Sequence, residues 1–490
     1  MALSAAARRE LDRILGPRGV VDGAVASLAY ESDGLALIRG TPEIVLLPRD
    51  TAQCAAALGV LAAEGVPVVG RGAGTGLSGG ATPVSGGALV GMARMRDVLE
   101  LNLQDRFARV QAGMVNVDLT NLCAKHGLFY APDPSSQQAC TIGGNVGENS
   151  GGPHCFKYGA TTRHVLGLVI VTADGQVLDL SQPRLEPDGY DLVGLFVGSE
   201  GTFGLATEIT VRLTRKPAAV ETLLAVFGDL DGACDATSDL IAERLEPSAI
   251  EILDRLTIEA VEQSVFRAGY PRGAGAVLLV EVEGSETEVA TTVRDVTRIA
   301  RARGALEVRS ARGESERKKL WAGRKGAFGA MGRIAPDLYV ADVCVPRTRL
   351  KELVLAATRI AAEKRLKLSN VFHAGDGNLH PNISYDRRNP DEVERVLAAG
   401  REIMELCVAA GGSLTGEHGV GLEKREEMCL VYGDDDLAVM RRVREAWDPA
   451  RRMNPGKLLP VRGCREARGA SLPRRAAPDH APQAHGGSGR

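Results

Sequence analysis

None of the nine cysteines of this 490-residue chain (positions 54, 123, 140, 155, 234, 344, 407, 429 and 464) belongs to a C-x-x-C pair or any paired spacing. That argues against a cluster-binding set, a zinc ribbon or a disulfide framework, and leaves buried free thiols in a reducing compartment as the expectation. Long hydrophobic runs are also missing. No apolar stretch reaches the roughly 20 residues that span a bilayer. Residues 1–15 read as a charged, alanine-rich helix, without the continuous apolar core of a signal peptide. A cytoplasmic location is expected, with any membrane association peripheral and through a partner. Neither sign of charge dominates. With 59 Lys and Arg against 62 Asp and Glu the net charge is −3, so nothing draws the chain to nucleic acid or an anionic membrane. There is no internal repeat.

What remains is ordinary globular composition, 44% hydrophobic and 25% charged. The length exceeds one ordinary core, so two or three domains are expected. The patterns predict an α+β protein. Residues 1–35 read as short helices and 36–216 as an α/β segment. In 217–418 helices alternate with strands in a mixed or antiparallel sheet, with the helices on one face. Residues 419–460 read as helical. The stretch 461–490 has six Arg against one Glu and one Asp, with scattered Pro, Gly and Ala, and is expected to be disordered. Residues 131–163 read as almost entirely loop, and long loops in compact proteins are usually functional.

The 58 glycines gather in loops, as expected for backbone that cradles a large ligand. Residues 71–80, R-G-A-G-T-G-L-S-G-G, contain G-x-G-x-x-G at Gly74, Gly76 and Gly79 after a predicted strand. A nicotinamide-binding βαβ unit requires a helix next. Here Pro83 and Gly86-Gly87 intervene and another strand follows, so that reading fails. Successive backbone N–H groups in such a loop still suit an anion, and a pyrophosphate is a reasonable guest. Two further loops, 132–136 with 141–147 and 198–204, suit a long dinucleotide lying extended across one domain.

Residues 371–382, V-F-H-A-G-D-G-N-L-H-P-N, read as a hairpin about a two-residue Asp376-Gly377 turn. That register opposes His373 to His380 on one face, where two imidazoles suit a shared divalent metal. Asn382 points to the same face. In 415–421, T-G-E-H-G-V-G, glycines flank Glu417 and His418. Glu417 is a candidate third ligand and His418 a candidate base. The plainer readings are polar edge residues and a solvated turn. The chain has only 8 His, and three of them in two such settings favour the chemical reading.

The ordered motifs carry a resemblance over about residues 20–460. They are R-G-A-G-T-G-L-S-G-G (71–80), A-P-D-P-S-S (131–136), T-I-G-G-N-V-G-E-N (141–149), G-S-E-G-T-F-G (198–204), W-A-G-R-K (321–325), F-H-A-G-D-G-N-L-H (372–380), G-E-H-G-V-G (416–421) and N-P-G-K (454–457). The chain resembles the FAD-linked oxidases of the vanillyl-alcohol-oxidase, or PCMH-type, fold. Within them it is similar to the glycolate oxidase flavin subunits and the D-lactate and D-2-hydroxyglutarate dehydrogenases. The resemblance implies that FAD is held by Arg71, Gly72, Gly74, Thr75, Gly76, Ser78 and Gly79, by Pro134, Ser135, Ser136, Gly143, Gly144, Asn145, Gly147, Asn149 and Ser150, and by Glu200, Gly201 and Gly204. It also implies that Asn454 and Lys457 return to the flavin domain. Relatives with covalent flavin carry a histidine at the position of Thr75, so non-covalent FAD is expected.

In line with the hydroxyglutarate dehydrogenases, His373, His380 and Glu417 are assigned as ligands of a divalent metal, zinc first, then manganese or iron. His418 is assigned as general base, Arg324 as carboxylate clamp, and Asn382 as a hydrogen bond to substrate. Hydroxyglutarate dehydrogenases carry a lysine where this chain has Val340, two residues before Asp342. A small monocarboxylate is therefore favoured, glycolate first and D-lactate second, unless Arg333 supplies the missing cation. The electron acceptor is not encoded. The glycolate oxidase resemblance implies a second flavin-fold subunit and an iron–sulfur subunit, with electron-transferring flavoprotein or quinone as alternatives. Readings from other classes are an NADPH-dependent cell-wall precursor reductase on the same fold, which does not need the His373/His380/Glu417 set, and a non-catalytic flavin-binding assembly subunit.

Overall fold

A computed structural model describes residues 3–181, 189–461 and 463–464. Two large hydrophobic cores organise it. One is built almost wholly from residues 3–213, the other from 223–464, and we refer to them as the first and second lobes.

The first lobe holds two larger sheets and a two-stranded one that pairs Leu128–Phe129 with Thr214–Arg215. Ile44–Leu46, Ala88–Gly91 and Val68–Arg71 run parallel in that spatial order, with Val20–Val21 added antiparallel at the edge. The second sheet is antiparallel, in the order Val98–Asn102, Phe107–Gln111, Leu205–Arg212, Val165–Val171, Val177–Leu180. The Thr51–Ala63 helix packs against Val165–Val171 and Leu205–Arg212 of the second sheet. The side chain of Asp50 starts it by accepting from the Gln53 N–H, as an N-cap residue does. The 71–80 loop leaves the end of Val68–Arg71, and the 198–204 loop leads into Leu205–Arg212.

In the second lobe all strand pairings among the described residues are antiparallel. Alternation along Ala219–Phe227 sends Leu223, Ala225 and Phe227 into the large core and Leu224 and Val226 into a smaller one behind it. Helices therefore cover both faces. Leu230–Ala242, Glu286–Ala302, Leu350–Glu363 and Pro390–Ala409 lie on one, and Arg255–Glu262, Gly313–Lys325 and Ala327–Ala330 on the other. The expectation of helices on one face is corrected. A strand with apolar residues at every position needs two covers.

The chain then returns. Trp447, ending the Asp434–Trp447 helix, stacks on Phe203 with ring centroids 5.3 Å apart. Asn454 Nδ2 donates to the carbonyls of Gly80 (2.9 Å) and Glu200 (2.7 Å).

Three further expectations change. The stretch 131–163 contains the helices Ile142–Glu148 and Cys155–Tyr158. The first is started by the Thr141 side chain, which accepts from Gly144 N–H, a cap that outweighs the low helix propensity of its glycines. Cys429 and Cys464 form a disulfide, so the cysteines are not all free thiols; the other seven are free. Residues 35 apart in sequence give no local spacing signal, and only the fold makes them neighbours. Cys464 is buried, so the tail expected to be disordered from Val461 is anchored there; residues 465–490 lie outside the described residues.

Candidate active site

One cavity of about 620 Å³ runs between the lobes. The first lobe lines it with residues 70–77, 134–138, 143–145, 147–148, 200–201 and 204–206 among others, and Asn454 joins them. The loops approach each other closely. A Cβ on Gly72 would lie 2.4 Å from Thr141 Oγ1, so only glycine fits between the first loop and the second. Of the expected cofactor residues, Ser78, Gly79, Asn149 and Lys457 do not reach the cavity wall. The Ser78 carbonyl instead accepts from Leu422 and Glu423 N–H. Asn149 ends its helix in the left-handed conformation at φ 50 and accepts from Thr162 N–H. Lys457 is fully buried and donates to the Gly80 carbonyl at 2.7 Å. They brace the loops from behind.

The second lobe contributes Arg324, Val340, His380, Asn382, Glu417 and His418 to the wall, while His373 stands just behind it. The hairpin is not the expected two-residue turn. Residues Ala374 to Gly377 form a four-residue turn, and His373 pairs with Asn378 rather than His380. The register is shifted by two residues, and a shift of two keeps each side chain on its face. His373 and His380 therefore still meet, with ring centroids 5.0 Å apart. The Asn382 side chain donates to the His380 carbonyl at 2.8 Å.

Glu417 closes the group. Its Oε1 lies 3.0 Å from His373 Nε2 and 3.4 Å from His380 Nε2. The ligand atoms of His373, His380 and Glu417 all lie within 4.8 Å of one another. Glu417 Oε2 and His380 Nε2 are buried without a hydrogen-bond partner, and such atoms ask for a ligand. A second group, Asp342, His380 and His418, is as compact. There Asp342 is already engaged, accepting from Thr415 Oγ1 (2.6 Å), from the N–H groups of Gly416 (2.9 Å), Glu417 (3.2 Å) and His418 (3.0 Å), and from Lys424. The first group fits a divalent cation better, and Asp342 is the post on which the 415–418 loop hangs.

Sequence reading missed Glu251. It lies on Ala249–Asp254, a strand that the pattern analysis did not single out. Its Oε1 is 2.6 Å from His373 Nδ1 and its Oε2 accepts from Arg324 Nε at 2.5 Å. A carboxylate behind a ligating imidazole fixes the ring and its tautomer. Arg324 is buried, not a surface cation, and its Nη2 is 3.3 Å from the same imidazole nitrogen.

The electrostatics match a cation site. Burial alone would depress His373, but Glu251 and Glu417 outweigh it and hold its pKa well above the usual histidine range. The two acids that draw a proton onto His373 would equally favour a metal. Burial would raise Glu417, yet His373, His380 and His418 pull it down to about 2. Burial brings His418 down to about 4, against the opposing pull of Asp342. Its imidazole is therefore neutral near pH 7, the form a base requires. Among the described residues, Arg71, Arg324 and Lys325 are the Lys and Arg side chains on the cavity wall. Arg333 is exposed and is not among the lining residues, and Val340 is buried.

Three glycine-rich loops in one lobe, facing an acid–imidazole cluster in the other across a single cavity, define a two-lobed flavin-dependent oxidoreductase. The chain belongs to the FAD-linked oxidase family. A model of the FAD binding domain matches residues 42–181 and a model of the FAD linked oxidases, C-terminal domain, matches residues 216–458. Glycolate oxidase subunit GlcD of Escherichia coli (strain K12) is 46% identical over 89% of this chain and 87% of that protein. D-lactate dehydrogenase of Anaerostipes hadrus is 28% identical over 91% of this chain and 95% of that protein. The structure of p-cresol methylhydroxylase with substrate bound superposes with a TM-score of 0.79 at 15% identity, covering 93% of this chain and 97% of that chain, and shares the fold.

Proposed function

We propose that the protein is an FAD-dependent 2-hydroxy-acid dehydrogenase that oxidises glycolate to glyoxylate as the catalytic subunit of a multi-subunit oxidase. The observation that carries this is the His373–His380–Glu417 group on the cavity, with His418 and Arg324 beside it. FAD held non-covalently by the glycine loops would supply the hydride acceptor, and a divalent cation held by His373, His380 and Glu417 would supply a Lewis acid. Arg324 receives the substrate carboxylate, since a guanidinium pairs with it bidentately. Glu251 fixes that guanidinium in place through its Oε2. His418, neutral and desolvated, takes the hydroxyl proton as the Cα–H leaves. Asp342 holds the His418 backbone so that the ring faces the cavity. Asn382 orients His380 through its carbonyl.

The substrate is small and carries one carboxylate. Val340 is apolar where a second carboxylate would need a cation, and the exposed Arg333 is not on the cavity wall, so the diacid reading loses its support. D-lactate is the second reading, because its methyl group is compatible with the apolar Val340 and Val371 at the wall. The electron acceptor is a partner, as in a multi-subunit oxidase. We propose a second flavin-fold subunit and an iron–sulfur subunit, with electron-transferring flavoprotein or quinone as other acceptors.

The test is anaerobic. Glycolate added to the FAD- and metal-loaded protein is expected to bleach the oxidised flavin band, D-lactate to bleach it more slowly, and D-2-hydroxyglutarate to leave it unchanged. Bleaching by none of them, with metal present, overturns the reading.

A further inference from the structure

The Gly313–Lys325 helix has a face that the proposed chemistry does not use. Arg317, Trp321 and Lys325 recur every four residues and so stack along one side. All three reach a part-buried ionic cluster that joins the lobes, and His154 is its hub. Its Nδ1 lies 2.8 Å from Asp133 Oδ2 and its Nε2 3.0 Å from Glu281 Oε1. An imidazole with a carboxylate at each nitrogen satisfies both when it carries both protons.

The partners come from opposite sides. Asp133 belongs to the first lobe, directly before the 134–138 wall of the cavity. Glu281 sits on Ala276–Gly284, an inner strand of the second lobe. Lys325 Nζ binds Asp133 Oδ2 (2.8 Å) and Gln137 Oε1 (2.6 Å). Trp321 Nε1 donates to Glu281 Oε2 at 2.5 Å and its ring lies 5.4 Å from that of His154. Thr222 Oγ1 donates to the same oxygen at 2.6 Å, and Arg317 stands 3.5 Å from it. Next to Lys325 in the chain is Arg324, which turns to Glu251 and the cavity. A helix moves as a rod, so a shift of the face bearing Trp321 and Lys325 displaces Arg324 as well.

We propose that Asp133, His154 and Glu281 form an inter-lobe latch that positions Arg324 at the cavity through the Gly313–Lys325 helix. The three are positioning residues, and the proposal rests on the reading of Arg324 as the carboxylate anchor. The latch also ties the loop wall around Pro134 to the wall that carries Arg324, so one cluster sets the width of the cavity where substrate meets cofactor.

The test uses the full chain with FAD and metal, in the variants His154→Gln, Asp133→Asn and Arg324→Lys and the double variant His154→Gln/Arg324→Lys. Bound flavin per protein and the thermal midpoint establish folding, and Asp133→Asn serves if His154→Gln loses its flavin. The expected result is a glycolate KM raised on the order of ten- to a hundredfold, the loss that small misplacement of an anchor produces, with kcat within about threefold. The double variant is expected to be little worse than Arg324→Lys alone, the non-additivity of groups acting through one another. Amide hydrogen exchange across residues 317–326 is expected to quicken in both latch variants. Unchanged exchange overturns the latch whatever Arg324 does. Unchanged KM in the latch variants, where Arg324→Lys raises it, also overturns it. If Arg324→Lys leaves KM unchanged, the anchor reading fails instead, and the exchange measurement alone decides the latch.

Discussion

His418 shows how much a position in the fold can do to one side chain. Its imidazole sits between Asp342 and His380, its ring stacked 5.1 Å from that of His380, and burial brings its pKa down to about 4. A histidine neutral at working pH in this place suits the proposed role of base for a hydroxyl proton. His418→Ala is expected to retain FAD and to lower kcat by about 10²–10⁴-fold, the usual loss with a general base; stopped-flow flavin reduction measures it, and undiminished reduction would remove His418 from the role. Glu251 carries the opposite lesson. A lone glutamate in an apolar stretch gives no signal in sequence, yet buried between His373 and Arg324 it holds both the proposed metal ligand and the proposed anchor. Composition and spacing do not reach it, because its two partners are 73 and 122 residues away in the chain.

At the scale of elements, the 371–382 hairpin was legible in its existence and its face but not in its register. A turn of two or four residues around Asp376-Gly377 leaves the same side chains on the same side, and the pairing is then settled by neighbours such as Val343–Cys344 against Asn378–Leu379. The latch between the lobes makes its own prediction. Burial would lower His154, but Asp133 and Glu281 outweigh it and raise its pKa from 6.5 to about 10. Burial would raise Glu281, but His154, Thr222 and Arg317 bring it from 4.5 down to about 2. A raised histidine contributes stability that is complete below its unfolded value and is lost as pH rises through the folded one; a depressed carboxylate contributes stability that is lost as pH falls through its folded value. The groups facing His154 are Asp133, Glu281, Lys325 and Arg317. The thermal midpoint is therefore expected to be flat between about pH 5 and 6.5 and to decline towards about pH 10. His154→Gln should flatten that alkaline limb in a calorimetric pH series, and an unaltered limb would place its cause elsewhere.

Across the whole molecule, the chain leaves the first lobe, builds the second and comes back, and the Cys429–Cys464 bond pins the end of that return. No helix among the described residues is long and apolar enough to cross a membrane. Closing a loop of this length, with a sequence separation of 35, contributes about 3–4 kcal/mol through the unfolded state. For a chain of this size that is about 3 °C in the unfolding midpoint. Cys464→Ser is expected to lower the midpoint by that amount in oxidising buffer, and dithiothreitol to lower the parent protein to match; equal midpoints for parent and variant without reductant would show that the bond does not form in solution.

The sequence by itself determined which loops are glycine-rich enough to cradle a dinucleotide, that the G-x-G-x-x-G of 71–80 lacks the helix of a nicotinamide site, and that three histidines and a glutamate stand in two glycine-flanked motifs. Those are local properties, set by backbone freedom and by side-chain alternation along a strand. The tertiary structure alone decided that both motifs meet at one cavity, that Glu251 and Asp342 hold them there, that Arg333 stands away from it, that Cys429 finds Cys464, and that Asp133, His154 and Glu281 join the lobes. Each of these joins residues far apart in the chain, and such contacts are chosen by the packing of the whole core, which no window of sequence contains.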